Sequence, residues 1–305
     1  MSFWYSFILG RTPELSRAEI ESVLRNTPYV VIVSGDFFLL IETKKEINTH
    51  AIMDVLGGTI KIGEGWYIIS NKDNLAQKFS ELLNTHLKQN QKIFFGYSLY
   101  GKISKNINLR GLGIEAKKLL KEKFNRSSRL VSSREATLSS VVVATNNLLS
   151  ERGAELQLFP IDNNIYIART SAVQDFASFS ERDYGRPKVD PQSGMLPPKI
   201  ARIMLNLAEV REGETIIDPF CGSGTIIMES LLLNPNNKII GSDINYGAIQ
   251  DTQKNLEWLA SRNHTTSLRN FIPLEQPIET LEKKIQPHSI DAIVTEPFLG
   301  PALRG

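Results

Sequence analysis

The segment IIDPFCGSGTIIMES, residues 216–230, contains an acid and two glycines between two apolar runs. Gly222 and Gly224 would let the backbone approach a ligand closely, because glycine has no side chain and tolerates left-handed conformations. Asp218 stands at the mouth of the loop, where a carboxylate would repel a phosphate and attract a cation. The pattern predicts a strand–loop–helix site for a ligand that carries positive charge.

Two common nucleotide-binding loops do not fit these residues. A P-loop requires a lysine after its last glycine, but Gly224 is followed directly by Thr225. The dinucleotide fingerprint requires a third glycine where Ile227 stands, and Asp218 would repel a pyrophosphate. S-adenosylmethionine fits better, because Asp218 would attract its ammonium and sulfonium groups and Asp243 would accept hydrogen bonds from its ribose hydroxyls. The alternative is a tight strand–helix turn without a ligand.

A second group of candidate residues follows a later apolar run, in TEPFLG at residues 295–300. Methyl transfer to an exocyclic amine needs acceptors that hold the NH2 group and an aromatic face that stacks the base. Glu296 and the Pro297 carbonyl are candidates for the acceptors, and Phe298 for the aromatic face. Taken alone, the motif is equally compatible with an ordinary turn at the end of a strand.

Apolar runs and helical patterns alternate after residue 193, which predicts an α/β domain with a parallel, doubly wound sheet. Upstream, Ser16 and Glu19 have capping-box spacing, which predicts a helix that begins at Ser16 and runs through Leu24. Hairpins are predicted at residues 29–41 and around residues 160–164, and a polar connector at residues 171–192.

The composition is that of a soluble globular protein of 305 residues, with 41% hydrophobic and 22% charged residues. Its length indicates two or more domains. The single cysteine, Cys221, excludes an internal disulfide and fits a reducing compartment, so we expect a cytoplasmic protein. No apolar run approaches the ~20 residues that span a membrane, and no His and Cys cluster suggests a metal site.

Positive charge is concentrated in one part of the chain. Between Lys92 and Arg134, eleven Lys and Arg residues face two glutamates, so this segment carries +9 and the remainder −7 of the total +2. A basic segment in an acidic protein indicates a polyanionic partner such as RNA. The candidate RNA-binding residues are Lys102, Lys105, Arg110, Lys117, Lys118 and Lys121.

Together these motifs resemble the THUMP-domain RNA methyltransferases, and among them the archaeal and eukaryotic tRNA guanine-10 N2-methyltransferase family. The resemblance is carried by GRTPELSRAEIESVL, GGTIKIG, RDYGRPKVDPQSGMLPPKIARIMLNLA, IIDPFCGSGTI, IIGSDIN and TEPFLG. It implies a ferredoxin-like domain at residues 1–60, a THUMP RNA-binding domain at 61–170, a linker at 171–192 and a Rossmann-like class I methyltransferase domain at 193–305. It also implies that the basic segment binds tRNA.

The resemblance also implies roles for individual residues. The methionine side of the cofactor would be lined by Asp218, Pro219, Gly222, Gly224 and Thr225. Asp243 would bind the ribose and Ile244 would flank the adenine. Leu196, Pro197 and Pro198 resemble the segment that closes over the cofactor from below. Glu296 and Pro297 stand where the family holds the amine.

Three departures from the family pattern bear on the function. The family's D-P-P-Y is E-P-F-L here, which leaves guanine and adenine both open as targets. The acid in the adenine-contacting position is not evident, and Glu275 is the nearest candidate. The family fold has three more strands after the catalytic strand, so we expect either a longer native chain or a partner that completes the sheet.

The main hypothesis is therefore an S-adenosylmethionine-dependent methyltransferase that acts on guanine N2 in tRNA. A ribosomal RNA or DNA amino-methyltransferase is one alternative, since the same catalytic motif serves adenine and cytosine. A non-catalytic RNA-binding subunit is the other.

Overall fold

The computed structural model describes residues 2–70, 73–101, 108–189, 195–262 and 268–297. The chain divides into two compact units. The amino-terminal unit comprises Met1–Arg17, Arg25–Asp54 and Thr59–Gln174. The carboxyl-terminal unit comprises Ala18–Leu24, Val55–Gly58 and Asp175–Gly305. Across the described ranges, no helix combines the length and the apolar character that crossing a membrane requires.

The amino-terminal unit is built on a single mixed sheet. Its strands are β1 (Phe3–Leu9), β2 (Tyr29–Ser34), β3 (Phe38–Thr43), β4 (Thr59–Ser70), β5 (Ile93–Leu99), β6 (Ser128–Val131), β7 (Gly153–Ile161) and β8 (Asn164–Val173). Their order is β2-β3-β1-β4-β8-β7-β5-β6. β5 runs parallel to β6 and β7, and the other neighbours are antiparallel. Both predicted hairpins, β2–β3 and β7–β8, are confirmed.

The sheet continues without a break through the boundary predicted at residue 60. β4 spans that boundary, and it pairs with β1 on one side and with β8 on the other. The division into a ferredoxin-like domain, a THUMP domain, a linker and a methyltransferase domain stays a prediction. The segment predicted as the linker begins inside β8 and contains a helix, α6, described below.

The first five helices of the chain are α1 (Pro13–Val23), α2 (Thr49–Val55), α3 (Leu75–His86), α4 (Leu109–Phe124) and α5 (Ser140–Thr145). The main core of the amino-terminal unit lies between the sheet and α3 and α4. On α4, Ala116 and Leu120 are fully buried, and Leu112 and Phe124 pack against the same core. This helix therefore carries an apolar stripe that faces the core.

The predicted capping box at Ser16 and Glu19 is wrong. Helix α1 begins at Pro13, which is favoured in the first turn because its φ is fixed at a helical value. Ser16 therefore lies inside the helix, where its hydroxyl donates to the Thr12 carbonyl oxygen at 3.0 Å. The buried carboxylate of Glu19 instead accepts hydrogen bonds from the Gly57 and Gly58 amides, each at 2.8 Å.

The carboxyl-terminal unit contains the predicted parallel sheet. Its strands are β9 (Thr215–Asp218), β10 (Lys238–Asp243), β11 (Phe271–Glu275) and β12 (Ala292–Ile293). They are parallel throughout, in the order β11-β10-β9-β12. Its helices are α6 (Phe176–Tyr184), α7 (Pro198–Leu207), α8 (Thr225–Leu233), α9 (Tyr246–Arg262) and α10 (Ile278–Leu281). The alternation of strand and helix confirms the α/β class.

A buried ion-pair network fixes α8, the helix that follows the glycine loop. Glu229 on α8 is fully buried, and its carboxylate lies 2.5 Å from Arg182 Nε and 2.6 Å from Arg202 Nη2. Phe179 on α6 covers this group, with the Arg182 guanidinium 4.4 Å from its ring centroid. Because a buried charge is costly unless it is paired, this network ties α6 and α7 to α8.

We therefore expect Glu229→Ala to lower the free energy of unfolding of the carboxyl-terminal unit by about 3–5 kcal/mol, because it leaves two buried guanidiniums without their carboxylate. Urea denaturation measures this loss. Glu122→Ala is the control, since Glu122 forms an exposed ion pair with Lys118 at 3.8 Å, and exposed pairs contribute about 0–1 kcal/mol. A loss below about 1 kcal/mol for Glu229→Ala would contradict this account.

Candidate active site

Parallel strands bring the candidate acids to one edge of the carboxyl-terminal sheet. β9 lies between β10 and β12, and all three run in the same direction. Asp218 ends β9 opposite Gly241, and Asp243 ends β10 opposite Glu275 of β11. The carboxyl edge of such a sheet is where open α/β folds bind their ligands.

Asp218 is the most strongly perturbed acid at this edge. It is 2% exposed. Its Oδ1 accepts hydrogen bonds from Thr295 Oγ1 at 2.6 Å and from the Phe220 amide at 3.2 Å. Burial raises the pKa of Asp218 to about 7, and the charges of Asp243 and Glu296 add to the rise, while the two hydrogen bonds oppose it. The carboxyl group therefore changes charge near neutral pH, and a cation would favour its ionised form.

The glycine loop has one open position. Gly222 has a φ of +51°, and a Cβ built there would meet no described heavy atom within 4 Å. Its amide donates to Asp243 Oδ2 at 3.1 Å, and its carbonyl accepts from Thr252 Oγ1 at 2.7 Å. The loop backbone is thus held on one side and open on the other, which is the geometry a ligand in backbone contact requires.

Gly224 is constrained in a different way. Its φ is +84°, and a Cβ there would lie 2.7 Å from Thr252 Cγ2 on α9. Asn255, one turn further along α9, donates from Nδ2 to the Ser223 carbonyl at 2.8 Å. Sequence analysis did not identify Thr252 or Asn255, and their three-residue spacing on a predicted helix was the available signal. Helix α9 therefore holds the loop in position through these two side chains.

Asp243 lies between the loop and solvent. Its Oδ1 accepts from the Asn245 amide at 2.8 Å, while its Oδ2 binds the Gly222 amide. Next to it, Ile244 is 74% exposed and Tyr246 is 56% exposed. An acceptor beside exposed apolar side chains can hold a sugar hydroxyl next to a flat ring.

The other predicted cofactor residues lie at the ends of the glycine loop and near the start of α7. Pro219 and Thr225 are buried at the two ends of the loop. Leu196 packs against a core that includes Ile216 of β9 and Ile226 of α8. Pro197 caps α7 from an exposed position, and Pro198 is its buried first residue. The roles of all these residues stay predictions.

The predicted catalytic residues follow β12. Glu296 and Pro297 are exposed, and Glu296 is close enough to Asp218 to raise its pKa. Phe298 lies outside the described residues. Thr295, which sequence analysis did not identify, links this segment to Asp218 through its hydroxyl. The amine-holding candidates therefore share one electrostatic environment with the loop acids.

Cys221 lies in the same loop but is buried in an apolar cluster with Ile227 and Leu231. Burial raises the pKa of its thiol, and the charges of Asp218 and Asp243 add to the rise. The thiol therefore stays protonated at neutral pH and is a packing group, since the nucleophilic form is the thiolate. Among the side chains that the structure describes, no group of three or more His, Cys, Asp or Glu is arranged to hold a metal ion.

The predicted RNA-binding residues of α4 lie in the amino-terminal unit. Arg110, Lys117, Lys118 and Lys121 are exposed, and Ile114, on the same side of the helix, is 57% exposed. Of the four cations, Lys118 forms a long ion pair with Glu122 at 3.8 Å. Lys102 and Lys105 lie outside the described residues. This side of α4 presents positive charge to solvent.

The chain is similar in sequence to known methyltransferases. Residues 186–301 match the model of the RMKL-like methyltransferase domain. The chain is 26% identical over 300 residues to the tRNA (guanine(10)-N2)-dimethyltransferase of Methanothermobacter thermautotrophicus, covering 94% of this chain and 75% of that protein.

Solved structures share the fold. The crystal structure of TrmN from Thermus thermophilus matches with a TM-score of 0.57 at 13% identity, covering 98% of this chain and 80% of that one. The structure of SMU.472 complexed with SAH matches with a TM-score of 0.53 at 14% identity, covering 97% and 80%. The resemblance noted in the sequence is thereby confirmed. Residues 186–301 thus match the RMKL-like methyltransferase domain, in a chain that is similar over most of its length to a tRNA guanine-N2 dimethyltransferase.

Proposed function

We propose that the protein is an S-adenosylmethionine-dependent RNA methyltransferase whose target is the exocyclic N2 amine of guanine in tRNA. The observation that carries the proposal is the meeting of Asp218, Gly222, Asp243 and Glu296 at one edge of a methyltransferase-domain sheet. The named activity of the Methanothermobacter relative supports guanine N2 and tRNA. We further propose a cytoplasmic location, consistent with the free thiol of Cys221.

The described residues fit the cofactor. The Asp218 carboxylate suits the ammonium group, and the open side of Gly222 admits a ligand close to the backbone. Asp243, which already accepts from two loop amides, retains lone pairs for ribose hydroxyls. Ile244 is exposed where a flat adenine would lie against it. The SAH in the SMU.472 structure is the demethylated form of the same cofactor.

When bound, S-adenosylmethionine supplies an electrophilic methyl group attached to a sulfonium. The protein's part is to hold the guanine amine in line with that methyl group. Glu296 and the Pro297 carbonyl would accept the two amine hydrogens, so that the nitrogen lone pair faces the methyl carbon. No strong base is needed, because the N–C bond would form as the bond from sulfur to the methyl carbon breaks, which leaves the positive charge on the amine. The proton would then pass to the Glu296 carboxylate or to water. Phe298, which lies outside the described residues, is assigned the stacking role by its position in the motif.

The basic side of α4 would bind the RNA backbone. Arg110, Lys117, Lys118 and Lys121 are exposed there, and Lys102 and Lys105 precede the helix in sequence. Contacts of this kind bind phosphates without reading bases, so they position the substrate and leave target choice to the catalytic site. At the other end of the chain, β12 borders the described sheet and Ile293 is 68% exposed. We propose that a further strand or a partner protein covers this edge.

The function is tested by incubating the chain with methyl-labelled S-adenosylmethionine and unmodified tRNA transcript, followed by digestion to nucleosides. We expect label in N2-methylguanosine from tRNA, and none when ribosomal RNA or DNA replaces the tRNA. Label in methyladenosine, or from ribosomal RNA or DNA alone, would contradict the guanine and tRNA assignments. The absence of both label and cofactor binding would favour a non-catalytic RNA-binding subunit.

In the same assay, Glu296→Ala should lower the transfer rate about a hundredfold, because one of the two groups that orient the amine is lost. RNA affinity, measured by filter binding, should change less than about twofold. Glu279→Ala on α10 is the matched control, since Glu279 is an exposed glutamate of the same unit, and its rate should equal that of the wild type. An unchanged rate for Glu296→Ala would rule out its assigned role.

Cofactor affinity should depend on pH through Asp218. Because the pKa of Asp218 is raised to about 7, its carboxyl group is mostly protonated at pH 5.5 and must ionise to bind an ammonium group. We expect the affinity for S-adenosylmethionine to fall about twentyfold from pH 7.5 to pH 5.5, measured by equilibrium dialysis. Asp218→Asn should bind weakly with little dependence on pH. Glu257→Gln, at an exposed position on α9, should keep the wild-type profile, and a flat wild-type profile would refute the assignment.

RNA affinity should depend on the α4 cations. Substituting both Lys117 and Lys121 by Ala should weaken binding of all RNAs alike and reduce the slope of log affinity against log salt by about 2, one for each lost phosphate contact. Lys44→Ala with Lys45→Ala is the matched control, because these exposed lysines of the same unit lie away from α4 in sequence. Equal effects of the two double variants would show that α4 has no special part in binding.

A further inference from the structure

Arg186 is a buried cation at the beginning of helix α8. It follows α6 in the chain, and its side chain is 3% exposed. Its Nη1 donates to Thr225 Oγ1 at 2.6 Å, and its Nη2 lies 2.8 Å from the Met195 sulfur. Thr225 is the first residue of α8 and the last of the glycine loop. The guanidinium is therefore placed at the loop end opposite Asp218.

The charge of Arg186 is not balanced by the side chains around it. Within the described ranges, no carboxylate lies within ion-pair distance of Arg186, and its Nε has no hydrogen-bond partner. The nearest buried carboxylate of α8, Glu229, is already shared by Arg182 and Arg202. Burial lowers the pKa of Arg186, and Asp183 and Glu229 oppose this only through space. A buried and unpaired cation is unfavourable unless a ligand completes it.

The amino end of helix α8 also favours an anion. Helix α8 has nine residues, and no side chain caps its amino end, where Gly224 stands in the left-handed region. Free amides at a helix amino terminus carry partial positive charge and attract anions. A cation placed beside them is repelled by that end of the helix. Arg186 and the start of α8 thus jointly favour an anion at this position.

We propose that Arg186, together with Thr225 and the amino end of α8, binds the α-carboxylate of S-adenosylmethionine. The inference rests on the proposed function, because it takes the cofactor as the ligand of the loop. The amino-acid end of the cofactor is a zwitterion, with an ammonium and a carboxylate on one carbon. The carboxylate of Asp218 lies just before the loop, and the guanidinium of Arg186 contacts Thr225 at the other end of the loop. The two ends of one loop would then recognise the two charges of one amino-acid group.

This assignment makes Arg186 a determinant of cofactor specificity. A cofactor analogue without the carboxylate should lose the contribution of Arg186 and keep that of Asp218. Decarboxylated S-adenosylmethionine is such an analogue, since it retains the sulfonium, the amine and the nucleoside. A purely structural role, in which Arg186 only holds Thr225 in place, would instead affect both ligands equally. The two possibilities therefore differ in ligand selectivity.

The test is calorimetric titration of wild-type protein, Arg186→Met and Arg186→Lys with S-adenosylmethionine and with its decarboxylated analogue. We expect the wild type to prefer S-adenosylmethionine by about 10- to 100-fold, the range for a hydrogen-bonded contact to a charged group. Arg186→Met should lose that preference by binding S-adenosylmethionine more weakly, with its affinity for the analogue changed less than about threefold. Arg186→Lys should recover part of the preference.

Two outcomes would overturn the inference. If the wild type binds the two ligands equally, the protein binds the cofactor but Arg186 does not recognise its carboxylate. Equal weakening of both by Arg186→Met would assign the residue a structural role. If thermal melting shows that Arg186→Met does not fold, the selectivities of the wild type and of Arg186→Lys decide the question. Failure of the wild type to bind either ligand would instead refute the proposed function on which the inference rests.

Discussion

The burial of one carboxyl group, that of Asp218, is the constraint on which the site depends. An acid that is 2% exposed at the end of a central strand is unfavourable in its charged form, and two nearby acids increase the difficulty. The described surroundings offer Asp218 two hydrogen bonds and no cation. A cationic ligand would stabilise the charged form of this carboxylate. Acids with perturbed pKa values of this kind concentrate at functional sites.

Contacts between elements that are distant in sequence place Asp218 and the glycine loop. Parallel pairing of β9 with β10 and β12 sets Asp218 beside Asp243 and the Thr295 segment. Helix α9 then holds the glycine loop through Thr252 and Asn255, whose partners are the Gly222 and Ser223 carbonyls. The Glu229 network fixes α8 at the far end of the same loop. The site is therefore positioned by helices and strands, and its loop backbone has little freedom of its own.

Much of this arrangement could be predicted from local sequence patterns. The alternation of strands and helices indicated a parallel sheet, and parallel strands necessarily bring Asp218 and Asp243 to one edge. The hairpins β2–β3 and β7–β8 followed from short-range turn signals. These predictions succeeded because the relevant period or spacing is contained within a few residues.

The remaining features depend on partners that are distant in sequence. Glu19 has capping-box spacing, yet its carboxylate binds the Gly57 and Gly58 amides because the fold brings that turn to the helix. Thr295 and Arg186 are unremarkable in the sequence, and their contacts with Asp218 and Thr225 span 77 and 39 positions. Spacing within one element cannot reveal such contacts.

The ionisation of Asp218 itself is the property to measure first. Carbon-13 NMR of aspartate-labelled protein, with Asp218→Asn used to assign the resonance, would give its pKa with and without saturating SAH. We expect a pKa of about 7 in the free protein and a fall of about two units on binding, because a cation within ~4–6 Å lowers the pKa of an acid by about 1–3 units. A pKa near 4 in the free protein, or one that SAH leaves unchanged, would contradict it.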